Sequence, residues 1–391
     1  MARVTGKYEK TIVAGEEVRA FLPHPLPPRR PALQVDVAAD ELLRAAREGL
    51  ARLTVAGDMV PSIEWLVYAL VRKEAVLSSQ IEGTQATLVD LLTFETTGAD
   101  KAREDSDVVE VCNYLEALSF ARAEIRRVKG LPISVRLLNQ IHRRLMAGPA
   151  GVGKQPGRVR RSQNWIGGTR PGNATFVPPP PHALADALSA FERYLHAEER
   201  ADPLVRSALL HAQFETIHPY LDGNGRVGRL LITLLLEHWG LLSQPMLYLS
   251  LFFKQHREEY YRRLAAIRSD GDWERWVAFF LEGVRATAEE TTVTVRDLFA
   301  LVSRDRDTVL AHPATSLSAM RLFEELPKHP VVTVAKATDL LGATKPTAAK
   351  AIDALVSANV LVESTGRRRD RLFGYVEYLD RLREGTEPEV G

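Results

Sequence analysis

The chain has 391 residues, room for two or three domains, and its 45% hydrophobic and 26% charged residues are those of an ordinary globular protein. A net charge of +1 excludes a global basic field of the kind that holds nucleic acid. The single cysteine, Cys112, excludes an internal disulfide and fits a reducing compartment.

The start, MARVTGKYEKTIVAGEEV, holds no apolar run of signal-peptide length. Residues 1 to about 35 read as an extended arm, because LPHPLPPRRPAL carries five prolines that favour polyproline geometry. Helical spacing begins at ADELLRAAREGLARL and continues in PSIEWLVYALVRKEAVLSSQIEG, where Pro61 suits a helix start. VVEVCNYLEAL is apolar at helical spacing, which makes Cys112 a packed, inert thiol. LPISVRLLNQIHRRLMAG is a further helix, ended by Gly148.

Gly148–Gln155 then falls one residue short of a phosphate-binding P-loop. Gln155 stands where a hydroxyl should bind magnesium, and a helix precedes the run where a strand should be. SQNWI and ATFVP, flanking GGTRPGN, predict a β-hairpin. HALADALSAFERYLHAEER and DPLVRSALLHAQFETI are helices, the second with Leu210, Phe214 and Ile217 on one face. RLLITLLLEHWGLL is apolar on nearly every side, so it should be a central helix; it is too short to cross a bilayer. We therefore expect a cytoplasmic protein with no membrane partner. Two more helices follow, broken at Ser269–Gly271, and a long one runs on through TTVTVRDLFALVSRDRDTVL. Beyond His312–Pro313 the order is helix, short strand at VVTV, helix, turn at Gly342, helix and two strands, which is the order of a winged helix-turn-helix.

The chemistry concentrates in HPYLDGNGRVGR, His218 to Arg229. Gly223, Asn224 and Gly225 let backbone N–H groups converge at the start of a helix, where unpaired donors and the helix dipole favour an anion. Asn224 adds a side-chain amide. Arg226 and Arg229, three apart, lie near one face, and their forks suit phosphate oxygens. Asp222 is the hard oxygen ligand that Mg²⁺ takes when it also binds phosphates. His218 is the residue type best suited to accept a proton near neutral pH. Together they describe phosphoryl or nucleotidyl transfer to a hydroxyl.

This stretch resembles the signature of the Fic family of protein adenylyltransferases: His, any, Phe, any, Asp or Glu, Gly-Asn-Gly-Arg, two residues, Arg. It departs only at Tyr220, an expected aromatic anchor. The resemblance implies transfer of AMP from ATP to a Ser, Thr or Tyr hydroxyl of a target protein, or of the enzyme itself. His218 would be the base and Asp222 the Mg²⁺ ligand. Gly223, Asn224, Gly225, Arg226, Val227, Gly228 and Arg229 would hold ATP. The SQNWI–ATFVP hairpin resembles the family's flap, with Asn164, Trp165, Ile166 and Gly167 meeting the target. Tyr260 and Tyr261 would flank the adenine, unless both are core aromatics. Upstream, Ser78, Glu82 and Gly83 resemble the family's inhibitory motif, in which the glutamate competes with the γ-phosphate for the second arginine, here Arg229. Family analogy also suggests a homodimer. Transfer of another nucleotide, and removal of AMP by the same site, remain alternatives.

The expected fold is thus mainly α. A helical region over 1–125 carries the inhibitory helix at about 62–83, and a Fic-type core with its hairpin flap spans 126–290. A linker helix covers 291–311 and a winged-helix domain 312–391. A transcriptional regulator is the competing reading of the last part. Thr344, Lys345, Thr347 and Lys350 on its recognition helix and the arginines within Arg367–Arg371 would meet DNA. Winged helices also dock proteins or make dimers.

Overall fold

The computed structural model describes residues 3–29, 31–34, 37–60, 62–98, 106–198, 201–366 and 370–388. Pro61 and the wing arginines 367–369 lie outside them.

The chain opens with an antiparallel hairpin, β1 (Gly6–Val13) and β2 (Glu16–Pro23). This corrects the extended arm expected from the prolines. Ala14 and Gly15 take φ of 50° and 85°, the left-handed two-residue turn whose twist matches two antiparallel strands. Val13, Val18 and Ala20 then pack with Val177, and Phe21 N–H donates to the Val177 carbonyl.

Among the described residues, eleven α-helices follow: α1 (Val37–Asp58), α2 (Ile63–Ile81), α3 (Leu88–Thr97), α4 (Ser106–Arg126), α5 (Val135–Leu145), α6 (Leu184–His196), α7 (Pro203–Ile217), α8 (Asn224–His238), α9 (Ser250–Gln255), α10 (Arg257–Ser269) and α11 (Trp273–Ala311). Their starts are set locally. Asp202 accepts the Leu204 N–H at 2.7 Å, with Pro203 in the first turn of α7. Thr87 and Asp90 form a reciprocal capping box on α3, and Ser134 caps α5. The expected flap strands shrink to one bridge, in which Ile166 and Phe176 exchange both backbone hydrogen bonds at 2.8 and 3.0 Å. Prolines 178–181 have no N–H with which to extend the ladder.

The last part runs α12 (Leu317–Glu325), β3 (Val331–Val332), α13 (Val334–Leu341), α14 (Lys345–Ser357), β4 (Val362–Glu363), β5 (Phe373–Gly374) and α15 (Val376–Arg383). The strands form one antiparallel sheet in the order β3-β5-β4. Gly342, at φ 58°, makes the left-handed turn between α13 and α14. The terminal helix α15, absent from the sequence reading, buries Tyr378, Leu379 and Leu382.

The chain divides into two compact units. The first comprises Met1–Leu50, Asn113–Ser243 and Phe252–Thr287; the second comprises Ala51–Cys112, Gln244–Leu251 and Ala288–Gly391. In the first, α7 and α8 form the central pair. Val227, Leu230, Leu231, Leu234 and Leu235 of α8 are fully buried, as its nearly uniform apolarity predicts. In the second, the Trp65 ring of α2 meets that of Tyr378, and Tyr375 donates to Asp305 at 2.7 Å. Among the described residues, no helix is long and apolar enough to cross a membrane.

Arg3 ties the N-terminal segment into the first unit. It is 6% exposed, bonds both Glu274 oxygens at 2.6 and 2.7 Å, and donates to the carbonyls of Pro31, Ala32 and Gly271. Arg3→Ala leaves a half-buried carboxylate and three carbonyls short of a donor. Urea unfolding should show a loss of about 3 kcal/mol.

Candidate functional site

The site is built where α7 hands over to α8. His218 ends α7 in the left-handed region, φ 49° and ψ 61°, with its N–H still bonded to the Phe214 carbonyl. That conformation turns the chain out of the helix at once, and histidine tolerates it better than a β-branched residue. Gly223, at φ 75°, makes the second turn and starts α8. A Cβ there would sit 3.0 Å from Met146 Sδ and 3.4 Å from Leu145 Cδ2, so the chain runs close over the end of α5. The first N–H groups of α8, from Asn224 onward, have no partner inside the helix and face its N-terminal end.

Five side chains hold these turns, and only two of them, Asn224 and Asn164, were expected to matter. Arg160, 2% exposed, donates from Nε to the His218 carbonyl at 3.0 Å, from Nη2 to Pro179 and from Nη1 to Ser162, while its backbone N–H donates to Pro219. Burial lowers its pKa to about 10, which leaves it charged at neutral pH. Asn224 bonds the Tyr220 backbone on both sides, accepting its N–H and donating to its carbonyl, each at 2.9 Å. This corrects the reading of Asn224 as an anion-binding amide, because the 2%-exposed amide is engaged with the loop. His142 stacks on Tyr220 at 3.9 Å and 7°. Its Nδ1 accepts the Gly157 N–H, so its Nε2–H donates to the Asp222 carbonyl at 3.1 Å. Asn139 accepts the Tyr220 hydroxyl at 2.9 Å, which gives the tyrosine that replaces phenylalanine a buried partner. Asn164 donates to the Tyr220 carbonyl and so fastens the flap to the loop.

The remaining predicted residues divide into groups. Asp222 has a half-exposed side chain; its Oδ1 accepts the Gly223 N–H at 2.7 Å and lies 4.0 Å from Arg226 Nη2. Arg226 and Arg229 are 4% and 3% exposed and sit in the opening turns of α8, with Gly225 half-buried beside them. Val227 and Gly228, expected among the ATP contacts, turn the other way. Val227 is fully buried in the core. A Cβ on Gly228 would lie 2.4 Å from Glu215 Oε1 and 3.2 Å from Phe214, so its missing side chain allows α7 and α8 to approach. Its carbonyl accepts from His211 Nδ1, and His211 Nε2 accepts the Tyr260 hydroxyl at 2.8 Å. Tyr260 is 1% exposed among Phe253 and Trp276, which makes it a core aromatic rather than an open face for a base; Tyr261 next to it is 44% exposed.

On the flap, Trp165 and Ile166 are over one-third exposed, and Gly167 takes φ 68° where a Cβ would meet Thr175 at 2.4 Å. Ser78, Glu82 and Gly83 belong to the second unit. Ser78 is buried in α2, Glu82 is the exposed cap residue, and Gly83 at φ 108° ends the helix. Gln80 Nε2 ties this end to the carbonyls of Ala86 and Thr386. Cys112 is half-buried, and burial pushes its thiol up to about 11, as expected of an inert side chain.

The motif was found from its own residue types. Arg160, His142, Asn139 and His211 were not, because each acts through backbone carbonyls or ring contacts that only the fold creates. The basic run Arg158–Arg161 was their one visible signal.

The Fic/DOC family N-terminal profile matches residues 41–123, and the Fic/DOC family profile matches 132–236. A protein adenylyltransferase Fic of Drosophila ananassae is 30% identical over 212 residues, 54% of this chain and 39% of that protein. One of Drosophila mojavensis is 28% identical over 252 residues, 62% and 47% respectively. The chain thus spans less than half the length of these relatives. Among solved structures, a Fic family protein from Desulfovibrio desulfuricans G20 shares the fold with a TM-score of 0.54 at 21% identity, over 88% of this chain and 97% of that one. A C. elegans Fic-1 fragment gives 0.52 at 22% identity, over 66% and 73%.

His142 links the loop to pH. Burial lowers its pKa from the ordinary 6.5 to about 4, so it is neutral in the fold near pH 7. Below pH 6.5 the unfolded chain binds a proton that the folded site refuses. Stability is therefore lost as pH falls from about 6.5 towards about 4, by up to about 3 kcal/mol. In urea unfolding, the advantage of wild type over His142→Gln should be widest near pH 7.5 and narrow clearly by pH 5.

Proposed function

The chain is a Fic/DOC family protein, distantly related to the protein adenylyltransferases, and from that premise we propose that it transfers AMP from ATP to a Ser, Thr or Tyr hydroxyl of a target protein, itself included. The observation that carries this reading is the junction of α7 and α8: a half-buried histidine at the end of one helix and two buried arginines in the first turns of the next.

In this reading His218 takes the proton of the incoming hydroxyl. The hydroxyl oxygen bonds to the α-phosphorus, the bond from that phosphorus to the bridging oxygen breaks, and pyrophosphate leaves. Backbone N–H groups at the start of α8 face the α-phosphate oxygens, whose charge grows during the transfer. Arg226 and Arg229 hold the β- and γ-phosphates. The flap offers the edge facing away from the Ile166–Phe176 pair, at Trp165 and Gly167, to an extended target segment and so brings the hydroxyl to His218. Asp222 suits a magnesium ion that also binds phosphates, because Oδ1 is engaged by Gly223 N–H and Oδ2 is on a half-exposed side chain. When bound, that ion offsets triphosphate charge.

Glu82 restrains the reaction in this reading. Its carboxylate competes with the γ-phosphate for Arg229, leaving the α-phosphate misdirected, which alone can cost orders of magnitude in rate. The support is the Ser78–Glu82–Gly83 spacing at the end of α2. With α-labelled ATP, His218→Ala should abolish labelling of the protein and of lysate targets. Glu82→Gly should raise it at least ten-fold. Labelling retained in His218→Ala would remove the base from the mechanism, and no gain in Glu82→Gly would remove the switch.

A second activity is proposed for the three helices and sheet of residues 317–374. Thr344, which caps α14, and Lys345 and Lys350 on it are exposed, which supports reading α14 as a recognition helix. The full chain should shift duplex DNA at low salt and lose that shift as salt rises, and Lys345→Glu with Lys350→Glu should abolish it.

A further inference from the structure

The stretch Gly148–Gln155 has no part in the reaction proposed above, yet its lysine stands beside the motif. Lys154 Nζ lies 3.5 Å from Asp222 Oδ2, with the two side chains 46% and 43% exposed. The other contacts of that carboxylate are to Oδ1: the Gly223 N–H at 2.7 Å and Arg226 at 4.0 Å. The lysine thus meets the oxygen that the backbone leaves open.

The placement is enforced by the backbone. Gly148, Gly153, Gln155 and Gly157 all take positive φ, between 55° and 76°. A Cβ on Gly151 would lie 1.9 Å from the Met146 carbonyl oxygen, and one on Gly157 would lie 2.9 Å from Arg143 Cβ. The segment is therefore wound tightly against the end of α5, and the Lys154 N–H closes a turn onto the Gly151 carbonyl at 3.0 Å. His142 then ties this segment to the motif loop through one imidazole: Gly157 N–H to Nδ1 at 2.9 Å, and Nε2–H to the Asp222 carbonyl at 3.1 Å. Two loops held by one ring keep the ammonium and the carboxylate within reach of each other.

A half-exposed ion pair at this distance adds little to stability, typically under about 1 kcal/mol, so the fold has no need of it. A fixed positive charge next to a carboxylate that suits a divalent cation has a different consequence, because the two cations compete for one oxygen. We infer that Lys154 is a positioning residue of the nucleotide site, holding Asp222 Oδ2 in the absence of a divalent cation and turning its ammonium to the polyphosphate once a metal–nucleotide complex takes that oxygen. This rests on the assignment of Asp222 to metal binding in the adenylylation reading.

The test uses the full chain and two probes. Mn²⁺ alone is titrated by the loss of the free-ion EPR signal, and labelled ATP is measured by equilibrium dialysis in EDTA. Lys154→Ala should bind Mn²⁺ about five-fold more tightly than wild type, as expected from removing one charge near this distance in a largely aqueous setting. The same variant should bind metal-free ATP several-fold more weakly. Lys154→Arg keeps the cation and should restore both values towards wild type, which a change in loop packing alone would not do. Asp222→Ala should remove the Mn²⁺ site in either background. Mn²⁺ and ATP affinities equal in wild type and Lys154→Ala, with Mn²⁺ binding still sensitive to Asp222→Ala, would overturn the inference and leave the adenylylation reading standing. Mn²⁺ binding indifferent to Asp222→Ala would overturn the assignment of Asp222 to the metal, and the inference with it.

Discussion

The motif depends on where α7 stops, and the buried guanidinium of Arg160 fixes that point. His218 leaves the helix in a left-handed conformation, so its carbonyl swings away from the helical ladder and needs another donor. Arg160 supplies it, and the same residue also holds Pro219, Pro179 and Ser162. Burying an arginine costs several kcal/mol unless its donors are used, and here they meet carbonyl oxygens on three sides. A lysine has one point of charge and no planar fork, so it would leave some of those carbonyls unmet. The turn, the exit of the flap and the position of the candidate base are therefore settled by one side chain.

Three histidines near this junction have separate tasks. His142 and His211 are fully buried, and burial drives their pKa values down to about 4 and about 3. Both stay neutral and act as fixed struts with opposite tautomers: Nε2–H in His142, donating to Asp222, and Nδ1–H in His211, donating to the Gly228 carbonyl. One holds the loop before α8 and the other holds α8 itself. His218 differs from both in being only partly buried, which is what the proposed role in proton transfer needs.

How much of this was legible follows from how local each feature is. HPYLDGNGRVGR was legible because a histidine, an acid, glycines and two arginines lie within one short run. The helices were legible from spacing and caps, as with Asp202–Pro203 before α7 and Gly342 after α13. The N-terminal hairpin was hidden because abundant prolines outweighed the Ala14–Gly15 turn, a pair without the usual asparagine or aspartate signal. Val227 and Gly228 sit inside the motif but serve helix packing, since a residue's place in a pattern does not tell which way its helix turns it. Tyr260 was ambiguous for a related reason: two adjacent tyrosines on a helix face different sides, and only packing decides which is buried. Arg160 and His142 stayed unseen because their partners are backbone carbonyls far along the chain.

The Tyr220 carbonyl, which accepts from both Asn164 and Asn224, has a further consequence. A glycine-rich loop ordinarily has many conformations to lose when it closes around a ligand. This one is clamped at Tyr220 on both faces of its peptide group and stacked against an imidazole before any ligand arrives. Its ordering entropy is lost during folding, so binding has less left to offset. The affinity of such a loop for an anion is then governed chiefly by the charges around it, and a change of one of those charges acts on binding with little conformational adjustment to blunt it.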